Sequence, residues 1–208
     1  MYVKDEVRGR IDEIKNLIFD FDGVIVQTID SYRRNIIKVV DYYFLDILGL
    51  DGESGFLVDS TDIQKFKDTG LFNNDWDLTY ALILYSLSAL FRRLVEVNAQ
   101  KKVRNKIINL RFYNLERLLQ GLREVGKEVR ASGLTIEDVI SDKESNELGI
   151  DLFINSFKRG GINHIRSVVM NFFPEPRREN FRLALRMVPY SNDEGDFLKR
   201  LFAESYLG

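Results

Sequence analysis

The sequence predicts a mainly α-helical protein with one vestigial strand near its N-terminus, and three observations point there. Along most of its 208 residues, apolar side chains recur at steps of three and four, the spacing of one helical face. One segment, Asn16 to Phe21 (NLIFDF), is instead a short apolar run bounded by charge on one side and by Asp22-Gly23 on the other, as in a buried parallel strand. A composition of 45% hydrophobic and 12% aromatic residues supplies a sizeable core, which 30% charged residues can cover.

After the strand, Asp30 to Leu48 places Ile36, Val39, Val40, Tyr43, Phe44 and Ile47 on one helical face. Gly49 to Ser60 is rich in Gly, Asp and Ser and reads as a loop. Thr61 to Gln64 (TDIQ) then has the form of a capping box for a short helix. Gly70 and two asparagines interrupt the pattern between Thr69 and Asp75, and Asp75 is placed to cap an apolar helix that runs to about Asn98. From Val103 to Val129, Ile108, Phe112, Leu115, Leu119, Leu122 and Val129 form one stripe, which predicts a single long amphipathic helix ending at Ser132-Gly133. Thr135 and Asp138 give a further capping signal. Shorter helices are expected over 135–145, 150–158, 161–171, 178–187 and 193–206.

The formal net charge of −2 with interspersed signs gives no large positive field, so neither nucleic acid nor a membrane is expected as a partner. The uncharged run Leu78 to Phe91 is shorter than the roughly 20 residues that cross a bilayer, and Arg92 and Arg93 end it, so it reads as a buried core helix. With no cysteine, disulfides and thiolate metal sites are excluded. Met1 to Asn16 lacks the pattern of a secretory signal, which makes a cytoplasmic location the default expectation. The abundance of Lys, Arg and Glu fits a thermophile's composition.

Chemistry concentrates where the strand ends. In Asp20-Phe21-Asp22-Gly23-Val24 two carboxylates stand two residues apart, and alternation in an extended segment points both to one side. One carboxylate can attack phosphorus while the other protonates the leaving oxygen and later deprotonates water. A turn favoured by Asp and Gly for local hydrogen bonding is the plainer reading of the same residues. The whole segment LIFDFDGVIVQT resembles the first signature of the haloacid-dehalogenase (HAD)-like hydrolase superfamily. That resemblance implies a Rossmannoid α/β core beginning at the strand, with Asp20 as nucleophile and Asp22 as general acid/base. It also implies magnesium, held by the Asp20 carboxylate and the Asp22 backbone carbonyl, a metal that prefers oxygen ligands. Gln27 stands where many relatives carry a carboxylate.

Asp30-Ser31-Tyr32-Arg33-Arg34, Phe66-Lys67-Asp68-Thr69-Gly70 and Asn73 to Thr79 are similar to an uncharacterised subgroup whose helical cap is inserted directly after the first signature. The resemblance divides the chain into 1–29, the strand and signature loop of a core, and 30–208, a helical cap. It implies that Asn74, Asp75 and Trp76 face a small phosphorylated substrate; a helix cap and a core anchor are the structural alternative for the same residues. The serine or threonine, the lysine or arginine and the acidic pair that complete related sites are not found. Met187 to Asp196 imitates the acidic pair, but Pro189 interrupts that run. Asp196 to Gly208 resembles the last cap helix, so a truncated, split or frameshifted relative is expected.

Two functions follow as expectations. One is a phosphatase component, inactive alone and completed by a second polypeptide. The other is a non-catalytic helical protein kept for binding or self-association as a homo-oligomer. His164 has no second histidine or paired carboxylate at ligand spacing, Lys158 to Gly161 lacks a phosphate-loop pattern, and Arg177-Arg178 reads as solvated charge at a helix start.

Overall fold

The computed structural model describes residues 29–53, 57–111, 114–141, 143, 149–160, 165–172, 178–188, 197 and 200–201. The chain divides into two compact units, Met1–Tyr32 and Arg33–Gly208, and nearly all described residues belong to the second. The expected strand at 16–21 and the signature loop lie outside the described residues. The described part is mainly α and contains no strand.

Its helices are α1 (Ile29–Asp41), continued by a π-helical turn Tyr42–Ile47, then α2 (Ser60–Lys67), α3 (Asp75–Glu96), α4 (Gln100–Ile108), α5 (Leu115–Arg130), α6 (Ile136–Ile140), α7 (Ile150–Gly160), α8 (Ile165–Phe172) and α9 (Arg178–Met187). The core is built around α3, whose residues Leu78–Phe91 are all buried, serines and a threonine included. A helix that is apolar on every side must be covered on every side. Here α4, α6, α8 and α9 supply the cover. By length and composition α3 could cross a membrane, yet most of it is enclosed by its own bundle. Thr79 and Ser88 satisfy their buried hydroxyls by donating to the carbonyls of Asp75 and Leu84, four residues back.

Beside α3 lies an aromatic cluster centred on Phe153 of α7. Its ring stands 4.9–6.1 Å from those of Phe66, Tyr85, Phe157 and Phe172, mostly edge to face. Phe72, buried ahead of α3, closes the cluster at 5.0 Å from both Phe66 and Phe157.

The stripe read in α1 holds, since Ile36, Val39, Val40, Tyr43, Phe44 and Ile47 are all buried. Its end widens into the π-turn, where the Leu48 N–H donates to the Tyr43 carbonyl at 3.0 Å, five residues back. A β-carbon on Gly126 would stand 1.8 Å from the Leu48 carbonyl oxygen, so glycine is what lets α5 approach so closely. Arg130, one turn on, donates to the carbonyls of Leu48 and Gly49 at 2.8 and 2.7 Å and satisfies the orphan acceptors of that helix end. From the same turn, the buried Tyr43 hydroxyl donates to the Met187 carbonyl at 3.2 Å and ties it to α9.

Four sequence expectations are corrected. The helix expected over 103–129 is two helices, α4 and α5. Asn109 ends the first, its side chain donating to the Asn105 carbonyl at 2.8 Å, and Asn114 caps the second by accepting from the Arg117 N–H at 3.1 Å. The stripe shifts accordingly to Leu118, Leu122, Val125 and Val129, and Ile108 is 46% exposed. The capping box of α2 is Asp59 with Asp62 instead of Thr61 with Gln64. The Asp59 carboxylate accepts from the N–H groups of Thr61 and Asp62 at 2.7 and 2.9 Å, and Asp62 accepts from the Asp59 N–H at 3.1 Å. The cap of α3 is Asn74, one residue before Asp75. The helix expected over 135–145 covers only Ile136–Ile140, introduced as expected by Asp138 reaching back to the Thr135 N–H at 2.8 Å.

Candidate functional site

Asp20 and Asp22 lie outside the described residues, and so does His164. Asn74, Asp75 and Trp76 are described, and the structure brings them together at the N-terminal end of α3. Local chemistry sets this end. The Thr69 hydroxyl donates to the Phe66 carbonyl at 2.6 Å and accepts from the Leu71 N–H at 3.1 Å, closing the turn after α2 around Gly70 at φ 69°. Phe72 drops into the aromatic cluster. The chain anchored there then presents Asn73 and Asn74 to solvent.

Each of the three predicted residues has a structural task. The Asn74 side-chain carbonyl accepts from the Trp76 N–H at 2.9 Å, which satisfies one of the orphan donors of α3. The Asp75 carboxylate pairs with Lys67 at 2.5 Å, with both side chains partly buried. Trp76 is 40% exposed, so it is a rim residue and not the core anchor of the structural alternative. Asp75 and Asp77 in the first turn match the positive end of the helix dipole.

This rim offers an amide donor and an indole face, and its charged side chains are two carboxylates and one lysine already paired with Asp75. A phosphate brought to it would meet two acidic side chains and a lysine engaged by one of them. The chemistry therefore favours a neutral polar or aromatic portion of a ligand over its phosphate. Lys67 is the partner of Asp75, eight residues on, and only the turn between them brings the two together.

A second group of charges holds α2 to the chain beyond α6. Lys143 bridges Asp59 at 3.7 Å and, more closely, the buried Asp62. Burial alone raises the Asp59 carboxyl, but the N–H of Asp62, the Lys143 charge and Thr61 together outweigh it and hold the group below its ordinary value. Lys65 pairs with Asp151 at 3.0 Å, and this partner raises its ammonium against a small opposing effect of burial. Tyr85, beside Phe153, has its phenol pushed up chiefly by burial and secondarily by the Asp62 charge. These groups are engaged with one another, as structural ion pairs are. Among the described residues no group of three or more histidines or acids could hold a metal ion.

No family model matches the chain. No solved structure matches it either. A stretch of 75 residues, 36% of the chain, is 32% identical to a protein of Phytophthora nicotianae named imidazoleglycerol-phosphate dehydratase, of which it covers 14%. The chain thus corresponds to a small part of that protein's length.

Proposed function

We propose that this chain is a component of a haloacid-dehalogenase-like phosphohydrolase, with the signature loop at Asp20 to Gly23 as its reacting end and the helices from residue 30 onward as a cap. The observation that carries this reading is the segment LIFDFDGVIVQT followed directly by a mainly helical body. The name of the relative matched over 75 residues contains a phosphate ester of a small molecule, which agrees with a small phosphorylated substrate.

In this mechanism a carboxylate oxygen of Asp20 attacks phosphorus and the bond to the leaving oxygen breaks. Asp22 gives its proton to that oxygen, then takes one from water as the water attacks the aspartyl-phosphate and releases inorganic phosphate. Magnesium, held by the Asp20 carboxylate and the Asp22 carbonyl together with oxygens from elsewhere, would neutralise phosphoryl charge. The donor chemistry of those two oxygens suits that ion, and the described residues add no further cluster of ligands. In the family that the signature resembles, a cap of this kind excludes water from the reacting phosphate, and Asn74 and Trp76 are the residues of these helices proposed to meet a substrate. The lysine or arginine, the hydroxyl and the acidic pair of related sites come from outside these 208 residues, which by themselves are inactive or nearly so.

Hydrolysis of p-nitrophenyl phosphate with magnesium tests this. The chain alone should turn over at background, and a complex with a partner that supplies the missing loops should be active and lose that activity in Asp20→Asn. Activity that survives Asp20→Asn in such a complex would refute the proposed nucleophile.

A further inference from the structure

Between Val97 and Leu115 the chain carries Lys101, Lys102, Arg104, Lys106 and Arg111 and no acidic residue. The structure puts Lys101, Lys102 and Arg104 on one side, while Lys106 stands 3.8 Å from both Glu124 and Glu128 of α5. Val103 and Ile107 point inward from α4, so Lys101, Arg104 and Ile108, at i, i+3 and i+7, share the outer face, with Lys102 beside them. All four are exposed. Arg186 of α9 joins this side, donating to the Ile108 carbonyl at 3.1 Å. The nearest acid before the run, Glu96, is already paired with Arg92 and Arg93 at 3.3 and 2.7 Å.

The same stretch holds exposed aliphatic side chains. Val95, Val97 and Ile108 are 43%, 44% and 46% exposed, and they make up half of the six exposed large hydrophobic residues among those described. Val95 and Val97 lie just ahead of α4 and Ile108 closes it, so the three stand at the two ends of a helix about 14 Å long that carries the cations between them.

We propose that the outer face of α4, with the exposed valines at the end of α3, docks the protein on an anionic lipid surface. The cations meet the headgroups and the aliphatic side chains enter the boundary beneath them, the division of labour of an interfacial helix. An anionic polymer in water would satisfy the cations and leave Val95, Val97 and Ile108 hydrated. This inference does not depend on the phosphohydrolase reading.

Sedimentation of the full 208-residue chain with vesicles tests it. Vesicles of phosphatidylcholine with roughly 30% phosphatidylserine should bind the protein, and vesicles of phosphatidylcholine alone should not, since each cation adds roughly fivefold near an anionic surface. Raising the salt should weaken binding. Lys101→Glu with Lys102→Glu should weaken it by about 30-fold or more. Both positions are exposed, so thermal melting should be unchanged. Val97→Ser with Ile108→Ser should weaken binding without changing the salt dependence. The same charge change at Lys38 and Lys158, exposed on other helices, should leave binding as it was. Equal binding to neutral vesicles, no binding to either, an equal loss in the Lys38 and Lys158 control, or a preference for RNA or polyglutamate over anionic vesicles would each overturn the proposal.

Discussion

Two consecutive helices, α3 and α4, are built on opposite plans. Every residue of α3 from Leu78 to Phe91 is buried, whereas α4 turns only Val103 and Ile107 inward and gives the rest of its surface to solvent. Neither plan shows in the composition of the whole chain, which averages an apolar rod and a basic cover into a nearly neutral protein. The lesson is that stability and surface chemistry are segregated along this chain. The bundle is held from α3 and the aromatic cluster outward, and the elements laid over it can vary their exposed side chains at little cost to the fold.

The largest expected effect tests that centre. Phe153 touches four aromatic neighbours, so Phe153→Ala should lower the unfolding free energy by about 3–5 kcal/mol. On the thinner seam of α4, Ile107→Ala should cost nearer about 2 kcal/mol. Urea titrations of both variants measure the difference. Equal losses would mean that the seam of α4 is as central as the aromatic cluster beside α3, and the comparison would break.

A second test sharpens the same contrast with two glycines of one helix. Gly126→Ala drives a methyl group to 1.8 Å from the Leu48 carbonyl oxygen, a backbone atom that cannot rotate away. A loss of about 1–3 kcal/mol or more is expected, with the Arg130 bonds to Leu48 and Gly49 disturbed. In Gly121→Ala the methyl group meets the far end of the Leu110 side chain at 2.6 Å, which can move, while the better helix former returns up to about 1 kcal/mol. That variant should be near neutral. If both melt alike, close approach of α5 to the π-turn is not what selects glycine.

Much of this fold was legible because the governing signals are local. The stripe of α1 and the apolar run of α3 follow from their hydrophobic pattern, the helix at 178–187 from the prolines ahead of it, and all three are as expected. The break between α4 and α5 was missed because Ile108, Phe112 and Leu115 keep helical spacing across it. What decides there is the competition of the Asn109 and Asn114 side chains for backbone groups, which a stripe does not register. The cap of α2 was misplaced by two residues because Asp59…Asp62 and Thr61…Gln64 overlap, and a carboxylate is the stronger acceptor for two N–H groups. At the rim, the sequence brought Asn74, Asp75 and Trp76 together, but not the ion pair of Asp75 with Lys67, which depends on how the turn at Gly70 folds. The basic face of α4 was hidden by a net charge summed over the whole chain.

Asn74 offers a smaller effect that separates its two roles. Asn74→Ala removes the cap of α3 and should cost about 1 kcal/mol, and Asn74→Ser, which keeps an acceptor for the Trp76 N–H, should restore most of it. In an active complex the two variants should differ in stability but share a raised KM, since neither retains the amide donor. If serine restores KM as well as stability, Asn74 is a cap and no more.

The smallest effect expected concerns pH. The folded protein holds the Asp59 carboxyl below its ordinary value of 3.8, so the ionised group contributes stability that is fully present above that value. As the pH falls, the unfolded chain takes up the proton first, and the contribution is gone once the folded carboxyl is protonated too. Asp59 is partly exposed, so solvent screening keeps the contribution small. Asp59→Asn preserves a side-chain oxygen for the N–H groups of Thr61 and Asp62 but removes both the titration and the attraction to Lys143. Wild type should therefore exceed the variant slightly in urea midpoint near about pH 7, and the gap should close as the pH falls below about 4. A gap that stays constant over that range would mean that the Asp59 carboxyl titrates alike in the folded and the unfolded chain, and one that widens in acid would reverse the sign derived from its surroundings.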